Sequence, residues 1–198
     1  MKHMKTLIFR VLFIFTVVGL SGCGIQSIPR QANEVDATWS EVLNQYQRRM
    51  DLIPNLVETV KGYAKHESQT LQAVVEARAQ ATSTKIDASQ LTEEKLAQFQ
   101  KSQSQLGGAL SRLMVVSEQY PDLKANQNFR DLTANLEGTE NRITIARQRY
   151  IESVKEFNNL VTVFPTSIAN SIFFHHSKKP QFTVDDEAAA KIPPKVTF

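Results

Sequence analysis

The sequence predicts an all-α fold: an elongated antiparallel helical bundle of three to four long helices, followed by a short C-terminal helix and an extended tail. Three observations carry this. Apolar residues recur at steps of three and four over long stretches, which is the seam of a helix and not the alternation of a strand. Only 7 Gly and 7 Pro in 198 residues leave too few turn formers for a sandwich or barrel of many short strands. A content of 41% hydrophobic and 22% charged residues belongs to a folded chain long enough to bury a core, and excludes wholesale disorder.

Residues 1–22 carry Lys2, His3, Lys5 and Arg10 without an acid, then an apolar run from Val11 to Leu20, then Ser21 and Gly22. Such an order of basic, apolar and small residues is that of a secretory signal peptide. The run is too short to span a bilayer comfortably, since a hydrocarbon core of about 30 Å needs roughly 20 apolar residues, which favours a cleaved signal over the alternative of a permanent anchor. Leu20-Ser21-Gly22-Cys23 resembles the bacterial lipobox, in which the thiol is diacylated and the chain is cut before the cysteine. Cys23 is the only cysteine, so there is no disulfide framework and no cysteine-based zinc site. Two or three acyl chains hold a protein stably at a membrane where one does not. Cys23 is thus the expected lipidation site, membrane lipid the expected partner, and the cell envelope, facing the periplasm, the expected location. Gly24 stands where an Asp would signal inner-membrane retention, which by that resemblance favours the outer membrane of a diderm bacterium. Residues 23–32 lack periodicity and read as a lipidated tether.

The bundle is expected over residues 33–165. Val35, Trp39, Val42, Tyr46, Met50, Ile53, Val57, Val60 and Ala64 form the first seam, and Leu71, Val74 and Val75 extend it towards Ala81. Pro54 lies inside it, and a proline removes one backbone hydrogen bond and crowds the carbonyl four residues back, so a kink or break is expected at 51–54. A polar stretch from Thr82 to Ser89 precedes the second seam, Leu96, Phe99, Leu106, Leu110, Leu113, Val116 and Tyr120. Gly107 and Gly108 fall inside that seam and are expected to admit a neighbouring helix, with a local kink as the alternative, while Pro121 is expected to end it. The third seam runs from Phe129 through Leu136, Ile143, Tyr150 and Phe157 to Phe164, entered past Asn126 or Asn128 as a cap and stopped at Pro165. Residues 166–198 read as a short helix over 167–174 and an extended tail.

The search for chemistry returns little. His66-Glu67 begins like a zincin motif, but Thr70 stands where the second histidine must lie to share one helical face. His175-His176 in a basic segment reads as a solvated pair. No nucleophile elbow, phosphate loop or dinucleotide fingerprint occurs. No catalytic residue, no metal site and no cofactor is therefore predicted. Five charged residues lie close to apolar seams: Arg78, Glu137, Glu140, Arg142 and Arg147. Glu140 occupies a position where its seam skips an apolar residue, and Arg147 lies two turns further on the same face. A buried or half-buried ion-pair layer that fixes helix register is one reading; solvated faces and a catalytic carboxylate pair are the others. Arg48, Arg49 and Asp51 beside Pro54 read either as a partner-binding elbow or as local ion pairing around a helix break.

At Arg48-Arg49-Met50-Asp51-Leu52-Ile53-Pro54-Asn55-Leu56-Val57 the sequence resembles the LemA family of bacterial envelope proteins. The resemblance continues through residues 60–67 and Ala77-Arg78, and returns at 120–126, 137–143 and 146–150. Phe164-Pro165, Pro194-Lys195-Val196 and Phe198 also fit. Two departures are Phe157-Asn158, where Tyr-Asn is common, and the lipobox, where many members carry a transmembrane helix. The resemblance implies an antiparallel helical bundle outside the cytoplasmic membrane and no established enzymatic activity. A non-catalytic scaffold or interaction module with an envelope protein partner is the leading expectation. An accessory subunit of an envelope protease or cell-wall enzyme, and a self-assembling coiled-coil oligomer, are the alternatives.

The net charge of +3 tempts a nucleic-acid reading. Removing residues 1–22 takes away Lys2, Lys5 and Arg10, which is the whole of that excess. The processed chain is formally neutral, so the basic balance reports export and no nucleic-acid partner is expected.

Overall fold

Each apolar seam becomes a helix in the computed structural model, which describes residues 26–84 and 86–182. The expected signal peptide, Cys23 and Gly24, and the end of the tail lie outside the described residues. Helix α1 spans Ser27–Tyr63, α2 Ser68–Ser83, α3 Glu93–Ser117, α4 Pro121–Ala125, α5 Gln127–Thr162 and α6 Thr166–Ala169. A single 3-10 turn, Ala88–Gln90, precedes α3, and a π turn, Asn170–Phe174, follows α6. No strand occurs among the described residues, and the fold is all-α.

Several boundaries differ from the sequence expectation. Helix α1 starts at Ser27, inside the expected tether; Pro29 falls in its first turn, where the missing N–H has no helical partner to lose. The helix then runs unbroken through Pro54. The break falls instead at residues 64–67, where the seam skips from Ala64 to Leu71 and a tight turn forms, Glu67 N–H donating to the Ala64 carbonyl at 3.1 Å. Pro121 opens a helix as well as closing one: α3 ends at Ser117, and Pro121 takes the first position of α4, which suits its fixed φ. A Cβ added at Gly107 or Gly108 would meet nothing within 4 Å, so these glycines admit no neighbouring helix. Caps set two of the starts. Thr92 accepts from the Lys95 N–H at 3.3 Å, and Asn126 Oδ1 accepts from the Phe129 N–H at 3.0 Å. The Glu94 carboxyl in the first turn of α3 is held below its ordinary range by a hydrogen bond at its own backbone and by the Thr92 side chain.

The described residues fall into two compact units, and α1 and α5 contribute to both. The larger holds residues 38–151 and 180–182. In it α1 and α5 run antiparallel, as the pairs Glu41–Arg149 and Arg49–Glu140 show by their reversed order. Its core takes Met50, Ile53, Leu56 and Val60 from α1, Leu71 and Val74 from α2, Leu106 and Leu113 from α3, and Phe129 and Leu136 from α5, all buried. At one end Trp39, 1% exposed, meets Phe99, Tyr150 and Phe182 at ring-centroid distances of 5.6, 5.3 and 6.0 Å, and donates its indole N–H to the Ile86 carbonyl. The beginning of the extended tail is held: the Phe182 ring is buried in this cluster and the Tyr150 hydroxyl donates to the Pro180 carbonyl at 2.9 Å. At the other end the connectors are stapled by side chains. Tyr120 donates to Glu67 at 3.0 Å, and the Asn126 amide nitrogen donates to the Tyr63 hydroxyl at 2.9 Å.

The smaller unit holds residues 26–37 and 152–179, with Ile28, Val35, Val154 and Phe157 fully or almost fully buried. Gln31 donates to the Ser153 carbonyl at 3.1 Å, and Lys179 pairs with Asp36 at 3.6 Å. Two asparagines tie down the returning chain. Asn158 both accepts from Lys179 N–H and donates to its carbonyl, at 2.8 and 3.0 Å, and Asn170 does the same for His176 at 3.0 and 2.9 Å. The π turn closes at His175, which takes a left-handed φ of 55° and donates its N–H to the Asn170 carbonyl at 2.7 Å.

Candidate functional site

The charged residues flagged by sequence gather in the larger unit, though not in the expected combination. Arg49 is 4% exposed on α1. Its Nη1 reaches Glu140 Oε1 at 2.7 Å, its Nη2 bonds both the side-chain and main-chain oxygens of Gln103, and its guanidinium lies 5.1 Å from the centroid of the Tyr46 ring. One arginine thus links α1, α3 and α5. Arg49 Nε and Gln103 Nε2 are buried without a hydrogen-bond partner among the described residues. A buried guanidinium needs such a set of acceptors, because an unpaired charge inside a bundle is costly.

Glu140 is therefore paired, but with Arg49 and not with a residue of its own helix. The apolar gap in the α5 seam is filled by Thr139, fully buried and donating to the Asn135 carbonyl, with Glu140 beside it and its carboxylate half in water. Arg78 does something the spacing did not suggest. Its Nε donates at 2.9 Å to the Met50 carbonyl, which is the acceptor that Pro54 leaves without a helical N–H. This bond explains why α1 survives its proline. Arg147 sits 4.6 Å over the Phe182 ring, a cation-π contact with the returning chain. Glu137 and Arg142 are exposed on α5.

Of the residues read as a partner-binding elbow, Arg49 is buried and spent on helix packing, and α1 is continuous through Pro54. Arg48 and Asp51 remain on the surface, Asp51 accepting from Gln47 at 2.7 Å. His66 is exposed, and its neighbour Glu67 holds Tyr120. The His176 ring stacks on Phe174 and meets Phe157 edge-on. No three His, Cys, Asp or Glu side chains converge as metal donors among the described residues.

A cleft of about 380 Å³ opens beside this network, between α1, α2, the connector after α2, and α3. Tyr46 and Phe99, edge to face at 5.0 Å, and Met50 form its apolar side; Asn44, Gln47, Thr82, Thr84 and Asp87 supply polar groups. Among the described residues that line it, Asp87 is the one with an acidic or basic side chain. The cleft can hold an apolar group with a few hydrogen bonds, and it does not bring together a paired acid and base. Sequence reasoning missed Gln103 and this cleft. Gln103 had a signal: it stands where the α3 seam skips from Phe99 to Leu106. The cleft had none, since its walls come from three separate stretches of chain.

Residues 38–198 match the family model described as the LemA family. Protein LemA of Metamycoplasma hominis is 24% identical over 156 residues, covering 79% of this chain. The match spans 66% of that relative, just under two thirds of its own length.

Proposed function

The chain belongs to the LemA family, and on that premise we propose that it is a lipid-anchored, non-catalytic helical scaffold of the bacterial cell envelope that presents its larger unit to a protein partner. One observation carries the scaffold reading. Arg49, Arg78 and Arg147 each bind a group of the bundle itself, so the charges nearest the seams hold helices and returning chain together and do not converge on a reacting centre. The anchor rests on Leu20-Ser21-Gly22-Cys23 after an apolar run. Acylation at Cys23 retains the chain at the membrane and leaves the helices in the periplasm.

Two experiments test this. Cells fed labelled palmitate are compared for the natural chain and Cys23→Ala: label and membrane flotation are expected only with the cysteine, and unchanged size and flotation in the variant would refute the anchor. A photo-crosslinking residue at Arg48, exposed on α1, is expected to give a discrete heteromeric adduct in intact cells. Adducts of the chain with itself alone would replace the scaffold by a self-assembling protein.

A further inference from the structure

The large hydrophobic side chains left exposed are unevenly placed. Tyr63, Val75, Val115 and Ile145 stand singly, as surface residues ordinarily do. Val163, Phe164, Ile168, Ile172 and Phe173, between 51 and 75% exposed, all fall within residues 163–173 at the turn that follows α5. Gln31 of α1 shares a surface depression with Glu156, Val163 and Thr166, so the beginning of α1 lies at the same end of the smaller unit as this apolar turn. Charge is distributed with the same bias. The first acid in the chain is Glu34, and none lies between Glu156 and Asp185, whereas Arg30, Lys178 and Lys179 are there. Lys179 is engaged with Asp36; Arg30 and Lys178 are exposed.

We propose that this end of the smaller unit, residues 163–173 flanked by Arg30 and Lys178, is a second membrane contact that beds into the headgroup region of an anionic phospholipid surface. The inference rests on acylation at Cys23 and adds to it. Ser27 opens α1 four residues after Cys23, a stretch of chain that reaches at most about 14 Å. A lipid anchor at Cys23 holds the start of α1, and the apolar turn beside it, at the depth of the interface. An exposed Phe and Ile cluster on a segment without an acid from residue 157 to 184, with Glu156 at its α5 edge, suits that surface, where apolar groups enter the acyl boundary and Lys or Arg meet anionic headgroups. A protein partner would not require the absence of acids across both segments.

The test uses the full acylated chain in vesicles of phosphatidylethanolamine and phosphatidylglycerol. Phe173→Trp places a reporter at the tip and Val115→Trp, 69% exposed on α3, provides the control; the native Trp39 is buried in both. Lipids brominated in the upper acyl chain, about 5–10 Å deep, are expected to quench the residue-173 reporter and shift its emission to the blue, and to leave the residue-115 reporter untouched. Replacing phosphatidylglycerol by phosphatidylcholine is expected to weaken that quenching. Equal emission from both reporters on floated vesicles would overturn the tip contact while leaving the anchor intact. Emission changes that follow protein density and not bromine would assign the patch to a second copy of the chain and overturn it too. Failure of the natural chain to float would overturn both readings.

Discussion

Pro54 and Arg78 form a pair whose coupling can be measured. The Met50 carbonyl has no helical donor because residue 54 is proline, and Arg78 Nε fills the vacancy at 2.9 Å with Met50 itself only 7% exposed. Arg78→Met keeps the aliphatic stem and removes the donor. Hydrogen bonds from a charged group contribute about 1.5–3 kcal/mol, and the carbonyl left behind is partly buried, so a loss of about 2 kcal/mol is expected. Pro54→Ala restores the N–H and relieves the ring's crowding of the preceding turn, stabilising the chain by up to about 3 kcal/mol. In that background Met50 has a second donor, and the same Arg78→Met change should cost only about 0.5–1 kcal/mol. The double-mutant cycle therefore predicts a coupling of about 1 kcal/mol with a defined sign. Urea unfolding followed by far-ultraviolet circular dichroism on all four chains gives the energies from midpoints and slopes. An equal cost of Arg78→Met in both backgrounds would refute the account of how α1 tolerates its proline.

Glu140→Leu leaves the Arg49 charge buried beside Gln103; with Glu140 itself half in water the expected loss is about 1–3 kcal/mol, between the values for buried and exposed pairs. Adding Arg49→Met should recover most of it, and unchanged urea midpoints in the single variant would show that the pair does not stabilise the bundle. Gly107→Ala and Gly108→Ala should each raise stability by up to about 1 kcal/mol, because both sit inside α3 with open space where the Cβ would go. Destabilisation in thermal melts would show that the glycines serve a contact. The Tyr120 hydroxyl, donating to the Glu67 carboxylate, is held above its ordinary range by that bond. A raised folded-state value means the proton is held more tightly in the fold, so the contact's stabilisation is complete below the ordinary tyrosine range near 10 and is lost as pH rises through the higher folded value. Ultraviolet titration of the natural chain against Tyr120→Phe should show one tyrosine ionising late; a Tyr120 signal at or below the ordinary range would contradict the bond.

The helices were legible because steps of three and four from Val35 to Ala64, and of three, four and seven from Phe129 to Phe164, are those of a helix face and not of a strand. What was not legible depended on distant partners. Nothing local to Pro54 announces that Arg78, across the α1–α2 connector, will satisfy Met50. Asp51 and Arg48 look like their neighbour Arg49 in sequence, yet only Arg49 turns towards Gln103 and Glu140, and that follows from which helices become neighbours. Residues 175–182 lack periodicity and read only as an extended tail; Phe182 is held by Trp39 and Tyr150, from the near and far parts of the chain. Two positions did carry a warning. Gln103 and Glu140 both fall where a seam omits an apolar residue, and these two side chains become the partners of the buried arginine.

Asn126 uses both ends of one amide. Its oxygen caps α5 through the Phe129 N–H, and its nitrogen bonds the Tyr63 hydroxyl at the close of α1. An aspartate would keep the cap and reverse the second bond, accepting from the Tyr63 hydroxyl, which can donate as well as accept; a serine would be too short to hold both. One side chain therefore couples the close of α1 to the start of α5, and a residue that offers neither an acceptor to the Phe129 N–H nor a partner to the Tyr63 hydroxyl uncouples the two helix ends at once.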